Sequence, residues 1–370
     1  DTAAAAERAT GWACEARSQG AESASARGCS SDLTPRTPPC SNRRVAGPSS
    51  PGSAETVRRR RMLTLAFMGF GAGLLALTAW AWTPDRPRRQ LEARWLASPE
   101  DMVTVAGERL HLRDSGRDGP GRDRPAIIML HGFGASLHTW EPWAAALADR
   151  YRVIRYDLSG FGLSPPRASG DYSLAADVAQ LAALMDTLGV ARATLVGSSM
   201  GGKVAWHFAA RFPHRVEKLV LIAPDGFARA GQRYGEAPRV GPALALMTVF
   251  LPKPLLRANL ASAYADPARL TDLVVTRYHD LMLAPGARAA MIDRLRQAVL
   301  EDPATLLPRL TMPVLLIWGD RDRLIPVSHA EDYLRLLPDA RLVRFPALGH
   351  LPHEEAPEQS LPALESFLGR

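Results

Sequence analysis

Cysteine is scarce in this sequence. The 370 residues hold three, Cys14, Cys29 and Cys40, all within the first forty. Their spacing fits no metal-ligand pattern, and the chain beyond residue 61 has neither a disulfide nor a thiol nucleophile, so covalent chemistry there falls to another side chain. A strong charge of either sign is missing too. Of the net +7, residues 1–61 contribute +4, with ten arginines against six acidic residues, which leaves +3 for the other 309. That balance excludes a nucleic-acid footprint. There is no internal repeat, metal-binding cluster, phosphate-cradling glycine loop or flavin motif, so neither a cofactor nor a metal is expected. Large apolar residues are almost absent from residues 1–61, which are rich in Ala, Ser, Pro, Gly and Arg. Such a segment buries too little surface to offset its ordering entropy and is expected to be disordered.

The adjoining segment has the opposite character. From Met62, itself a candidate start of translation, to Trp82 there are 21 residues without a charge, long enough to cross a bilayer as one helix. One reading is a membrane anchor with Trp80 and Trp82 at the interface. The other is a cleavable signal sequence with Ala79-Trp80-Ala81 as the cut site. The run exceeds the roughly 7–15 apolar residues typical of a signal sequence, which favours the anchor. Arg58 to Arg61 point to an extracytoplasmic or periplasmic catalytic region, while Arg86, Arg88 and Arg89 pull the other way. Residues 83–101 read as a linker.

From residue 102 the pattern is globular. "MVTVAG" and "RLHLRD" predict a hairpin around Gly107-Glu108, and "RPAIIML" a strand buried on both faces. Helical and strand patterns then alternate: a helix around Trp140 to Ala148, the strand "YRVIRYD", a helix around Leu174 to Leu188, the strand "ARATLV", the helix "KVAWHFAARFP", and the strand "VEKLVLIAP". Such alternation predicts an α/β fold with a mostly parallel sheet covered on both faces. It breaks over residues 226–310, which read as several helices forming a cap or lid after the sixth strand. It resumes over 311–370 with "MPVLLIWG", a helix near His329 to Leu337, "ARLVRF" and a closing helix. The core is thus split into 102–225 and 311–370.

The strand-turn-helix around "LVGSSMGGKVAW" carries G-x-S-x-G as Gly197-Ser198-Ser199-Met200-Gly201. That register selects Ser199 as nucleophile and leaves Ser198 as a packed neighbour. The two glycines are needed where the sharp turn brings strand and helix together, and the following helix start aims unpaired N–H groups at a developing oxyanion. An attacking serine needs a base and the base an orienting acid. Asp322 follows one later strand and His350 the next, each in a loop, in the order Ser, acid, His. Asp320 and Asp225 are alternative acids, and His353 an alternative base.

Residues from about Met102 to Arg370 resemble the α/β-hydrolase-fold serine hydrolases, within them the esterase and lipase branch, including membrane-anchored bacterial members. The resemblance rests on "HGFG" at 131–134, "DLSGFGLS" at 157–164, "GSSMGG" at 197–202, "WGDRD" at 318–322 and "GHLPHEEAPE" at 349–358. It implies an eight-stranded sheet and a triad of Ser199, Asp322 and His350, with an oxyanion hole from the backbone N–H groups of Phe133 and Met200. Gly132 and Gly134 would let that loop approach substrate, His131 would brace it, and Asp157 and Ser164 would stabilise their own turn. The implied activity is hydrolysis of a carboxylic ester or lipid through an acyl-enzyme, with small-molecule substrates and a membrane contact through residues 62–82. Carbon-carbon bond hydrolases of ring-cleavage products share the Ser-Met-Gly-Gly turn and stand as the alternative, as does a ligand-binding protein on a hydrolase scaffold. The apolar run "VGPALALMTVFLPKPLL", Val240 to Leu256, suits an acyl pocket or a bilayer contact. Oligomeric state is left open.

Overall fold

The computed structural model describes residues 52–369 apart from 118, 120 and 230. The expected disorder of residues 1–51 lies outside the described residues. Residues 52–61, expected to be disordered with them, are instead helical: helix α1 runs Gly52–Ala81, so the apolar helix extends about ten residues further back. Once an apolar helix is nucleated, each added residue gains a hydrogen bond for one residue fixed, and arginine is a good helix former. Among the described residues α1 is the one helix long and apolar enough to cross a membrane, and its membrane-length stretch buries nothing against the rest of the protein.

Eight strands form one sheet: β1 (Met102–Val105), β2 (Glu108–Asp114), β3 (Ala126–Leu130), β4 (Arg152–Tyr156), β5 (Ala193–Ser198), β6 (Val216–Ile222), β7 (Val314–Gly319) and β8 (Ala340–Phe345), in the order β1-β2-β4-β3-β5-β6-β7-β8. The hairpin β1-β2 and the β2-β4 ladder are antiparallel, and the five ladders from β4 to β8 are parallel. The hairpin turn falls one residue earlier than expected. Ala106 and Gly107 both adopt positive φ (47° and 84°), and Glu108 already pairs with Val105. A two-residue turn of that hand matches the twist of the strands it joins.

All five residues of β3 are buried. Their side chains alternate between two cores, Ile128 and Leu130 on one face, Ile127 and Met129 on the other. The first face is covered by α4 (Leu174–Thr187), α5 (Met200–Arg211) and α10 (Ser328–Leu336). The second is covered by α3 (Glu141–Leu147) and the C-terminal helix Pro357–Leu368. Each fully buried Leu or Ile in these layers contributes about 1.5–3 kcal/mol. Ser173 caps α4 by accepting the Ala176 N–H at 3.2 Å, and Pro213 stands just past the end of α5.

Between β6 and β7 the chain leaves the sheet for α6 (Pro242–Ala245), α7 (Lys253–Ala261), α8 (Asp272–Met282) and α9 (Ala287–Arg296). Residues 83–101 contain the helix α2 (Arg88–Trp95), whose Leu91 is buried with Leu281, Ala284 and Ala287 of this insertion. The segment read as a linker is therefore packed against this insertion.

Candidate active site

Because β3 and β5 to β8 run parallel, their C-terminal ends lie at one edge of the sheet, where open α/β sheets bind ligands. Ser199 stands at the end of β5 and heads α5. Its backbone is in the left-handed region (φ 52°, ψ −118°), which costs a non-glycine residue about 1–3 kcal/mol. Three hydrogen bonds hold it there: its N–H donates to Ile222 O at 2.9 Å, and its C=O accepts from Asp225 N–H and Lys203 N–H, both at 3.1 Å. The flanking glycines are steric necessities. A Cβ on Gly197 would lie 2.5 Å from Gly201 O, and one on Gly201 would strike the carbonyl oxygens of Leu130 and His131. Ser199 is half-buried, whereas Ser198 is fully buried beneath it.

The loop after β3 closes over this turn. A Cβ on Gly132 would sit 3.3 Å from Ser199 Cβ, and Gly134 has a positive φ of 72°. His131 is fully buried; its Nε2 accepts the Leu158 N–H at 3.0 Å, which puts its proton on Nδ1, donated to Gly132 O at 2.8 Å. Burial pushes its pKa down, so the ring is a neutral brace between two loops. Phe133 is partly exposed and packs edge-on against Phe161, ring centroids 5.5 Å apart. Met200 is the first residue of α5, where a helix has no internal acceptor for its N–H. Among the described residues neither the Phe133 nor the Met200 N–H donates to a protein acceptor.

The turn beyond Leu158 is organised by Asp157. This buried carboxylate accepts the N–H groups of Leu137 (2.6 Å) and Leu163 (2.8 Å) and pairs with His111 Nδ1 at 2.7 Å. Burial alone would raise its pKa, but the facing His111 overcomes that and holds it at about 2. Ser164 Oγ ties Asp157 O to the His111 N–H.

At the ends of β7 and β8, His350 Nδ1 donates to Asp322 Oδ2 at 2.7 Å. The other carboxylate oxygen, Oδ1, accepts the N–H groups of Leu324 (2.8 Å) and Ile325 (2.9 Å). The Asp322 side chain is completely buried. His350 is also fixed through its backbone, whose N–H donates to Ala263 O at 2.7 Å. The alternatives have other partners. Asp320 accepts Arg344 Nε at 2.7 Å, Asp225 lies 3.6 Å from Arg229, and neither meets His350. His353 is buried against Trp140 (centroids 4.2 Å) with Nε2 on Thr139 Oγ1, and burial drives its pKa to about 3.

One group at this edge is invisible to motif reading. Glu355 is buried and accepts two backbone N–H groups, Gly349 at 2.7 Å and Asp266 at 2.9 Å, so it joins the His350 loop to the helical insertion. Next to it Glu354 is paired with Arg277 of α8 and accepts Tyr278 OH at 2.9 Å. Both acids lie within the run "GHLPHEEAPE", but nothing in their spacing distinguishes a buried anchor from a solvated charge. Among the described residues no group of three or more His, Cys, Asp or Glu could hold a metal ion.

Residues 125–357 match the alpha/beta hydrolase fold family. An uncharacterized protein of Mycobacterium tuberculosis is 33% identical over 299 residues, spanning 77% of this chain and 85% of that protein. A 2-hydroxy-6-oxo-6-phenylhexa-2,4-dienoate hydrolase of Burkholderia cepacia is 30% identical over 250 residues, 65% of this chain and 85% of that one. Among solved structures, a bacterial membrane phospholipase A superposes with a TM-score of 0.62 at 25% identity, over 84% of this chain and 98% of the other.

Proposed function

Given that the chain belongs to the alpha/beta hydrolase fold family, we propose that it is a serine hydrolase that cleaves carboxylic esters, lipids among them, through an acyl-enzyme on Ser199. The observation that carries this reading is the Asp322–His350 pair at the sheet edge that also bears Ser199. With Nδ1 committed to Asp322, His350 Nε2 is left as the base. It takes the Ser199 proton as Oγ adds to the acyl carbonyl, and gives that proton to the alkoxide as the tetrahedral intermediate collapses. The alcohol leaves. Water then adds to the acyl-enzyme by the same route and releases the acid. The N–H groups of Phe133 and Met200 stabilise the oxyanion in both halves, an effect worth about 3–4 kcal/mol per donor. Gly132 and Gly134 keep side chains away from that path.

Residues 226–310 serve in this reading as the cap over the site, and α1 as a single-pass membrane anchor with the catalytic region outside the cytoplasm. The likeness to a membrane phospholipase A supports a membrane-associated ester substrate. A second reading, cleavage of a carbon-carbon bond, is favoured by the 30% identity to the dienoate hydrolase.

One experiment separates them. The detergent-solubilised full chain, Ser199→Ala and Ser198→Ala are treated with a fluorescent alkyl phosphonate, then assayed on p-nitrophenyl esters of rising chain length and on a 2-hydroxy-6-oxodienoate. Labelling and ester turnover lost only in Ser199→Ala are expected. Turnover of the dienoate without ester turnover would replace the ester reading, and absence of both labelling and turnover would refute the serine mechanism.

A further inference from the structure

The chain leaving α1 is clamped to the helical insertion. Trp82 bridges Phe250, their rings edge-to-face with centroids 6.0 Å apart. Thr83 N–H donates to Val249 O at 2.9 Å, and Thr83 Oγ1 accepts the Leu251 N–H at 2.5 Å. Asp85 accepts Arg288 at 2.6 Å and the Gly286 N–H at 2.9 Å. The buried Asp280 of α8 takes Arg86 (2.6 Å), Arg94 (2.8 Å) and the Trp95 indole N–H (3.2 Å). These contacts fix residues 246–251 beside the point where α1 ends.

The longer segment around them, Val240 to Leu256, is apolar; it buries Leu251 and Leu256 in the protein and leaves other apolar side chains uncovered. Beyond α1 and Trp82, eight large apolar side chains are exposed among the described residues, and three of them, Leu244, Leu246 and Leu255, come from Val240 to Leu256. Leu246 is 55% exposed and Trp82 53%. The single charge of this stretch, Lys253, is turned onto Thr276 Oγ1 at 2.6 Å. Leu246 is four residues from Phe250 in tightly wound chain, so it lies within about 8 Å of the Trp82 contact. The interfacial layer on each side of a bilayer is roughly 5–7 Å thick, and tryptophan at the end of a spanning helix sits in that layer.

We propose that Val240 to Leu256 forms a second contact of this protein with the lipid bilayer, its exposed Leu244, Leu246 and Leu255 lying in the interfacial layer next to the exit of α1. The proposal rests on reading α1 as a membrane anchor. Its occupant is the lipid surface, because the apolar patch is continuous, through Trp82 and Phe250, with the helix that enters the membrane. The clamp fixes the depth: the patch cannot rise from the bilayer without breaking the Thr83, Asp85 and Asp280 bonds.

The test uses the full chain with Cys14, Cys29 and Cys40 changed to Ser, in vesicles of phosphatidylethanolamine and phosphatidylglycerol. An environment-sensitive fluorophore is placed through Leu246→Cys, through Leu75→Cys within α1, or through Arg341→Cys on the exposed side of β8. Vesicle lipids carry a nitroxide quencher either near the headgroup or near the chain end. The Leu246→Cys label is expected to lose emission to the headgroup-proximal quencher and little to the deep one, while Leu75→Cys responds to the deep one and Arg341→Cys to neither. Quenching at Leu75→Cys with Leu246→Cys behaving like Arg341→Cys would leave the anchor standing and overturn the proposal. If neither is quenched, the anchor reading falls and takes the proposal with it. A Leu246→Cys label shielded equally in detergent, with no response to either quencher, would assign the patch to a second copy of the chain and overturn the proposal.

Discussion

Replacing Asp322 by Asn tests the proposed mechanism at a single hydrogen atom. In the wild type, Oδ1 receives two backbone N–H groups, from Leu324 and Ile325, and Oδ2 receives the His350 Nδ1 proton. An asparagine has one oxygen and one NH2 to divide between these sites. Turning the NH2 toward Leu324 and Ile325 would set donor against donor and forfeit two hydrogen bonds in a buried place, a cost of about 3 kcal/mol or more. The oxygen therefore stays on the backbone N–H groups, by a population ratio on the order of 100. The NH2 must then face His350 Nδ1, which becomes an acceptor and sends the ring proton to Nε2. In that tautomer Nε2 cannot take the Ser199 proton.

The expected result is a kcat lower by about 10⁴-fold, the size seen when a triad aspartate elsewhere is changed to asparagine, or roughly 5 kcal/mol of transition-state stabilisation. Folding should be nearly unchanged, since the backbone bonds to Oδ1 survive. The measurements are kcat on a p-nitrophenyl ester, phosphonate labelling rate and thermal unfolding, with Asp320→Asn as comparison. The Asp320 side chain pairs with Arg344 across a partly exposed contact, so its change should leave kcat intact and cost about 0–1 kcal/mol. Near wild-type turnover by a folded Asp322→Asn protein would refute the assignment and turn attention to Asp225.

Gly201→Ala should fail to fold or lose several kcal/mol, because the new Cβ would strike the backbone oxygens of Leu130 and His131, at the end of the central strand β3 and just beyond it; soluble yield and circular dichroism would show it, and a native-like protein would contradict the packing described. Glu355→Gln should cost about 1–3 kcal/mol, since a neutral amide offers one oxygen where Gly349 and Asp266 both donate. It should also lower kcat more than it raises KM, because the loop it holds carries His350; an unchanged kcat would separate Glu355 from the site. Acid should destabilise the protein well above the carboxylate range. Burial drops His138, His207 and His353 from 6.5 to about 3, so between those values the unfolded chain binds protons that the folded chain refuses. Stability is then present above about pH 6.5 and falls as pH drops, by about 1.4 kcal/mol per pH unit for each histidine. Asp157, held at about 2 against an ordinary 3.8, adds a separate loss only between those values. Denaturant midpoints that stay flat from pH 7 to pH 5 would count against the buried neutral histidines.

The elements legible in the sequence are those whose partners are close in the chain or whose pattern is a direct image of burial. β3 reads as a strand covered on both sides because "AIIML" has no polar position, and all five residues are buried. The turn at Ser199 is legible because Gly197 and Gly201 are required by backbone atoms only a few residues away or in the adjacent strand. Asp322 and His350 could be picked out because each follows a strand, and strand ends of a parallel sheet share one edge. Which histidine faces the acid is less local. Gly-His in a loop suggests His350, yet the physical reason His353 cannot compete is Trp140, more than 200 residues earlier, which stacks on it and seals it from the edge.

Residues 83–101 show where such reading stops. Asp85, Arg86, Arg88 and Arg94 fall in a segment that reads as a linker, with no apolar periodicity to mark it as packed. Their partners decide otherwise: Arg288, Asp280 and Leu163 stand between about 75 and 200 residues away. Half of each ion pair is therefore ordinary surface charge until the helical insertion arrives to supply the other half. Asp280 makes the point from the other side. On α8 alone it would be an aspartate at the C-terminal end of a helix, where the dipole disfavours negative charge. Buried and shared by two arginines and an indole, it is instead the centre of the contact that binds the chain leaving α1 to the helices between β6 and β7. Removing it would leave Arg86 and Arg94 half-exposed and free to reach water. The loss should therefore fall on the attachment of residues 82–95 more than on the sheet, because the Asp280 carboxylate takes its hydrogen bonds from Arg86, Arg94 and Trp95.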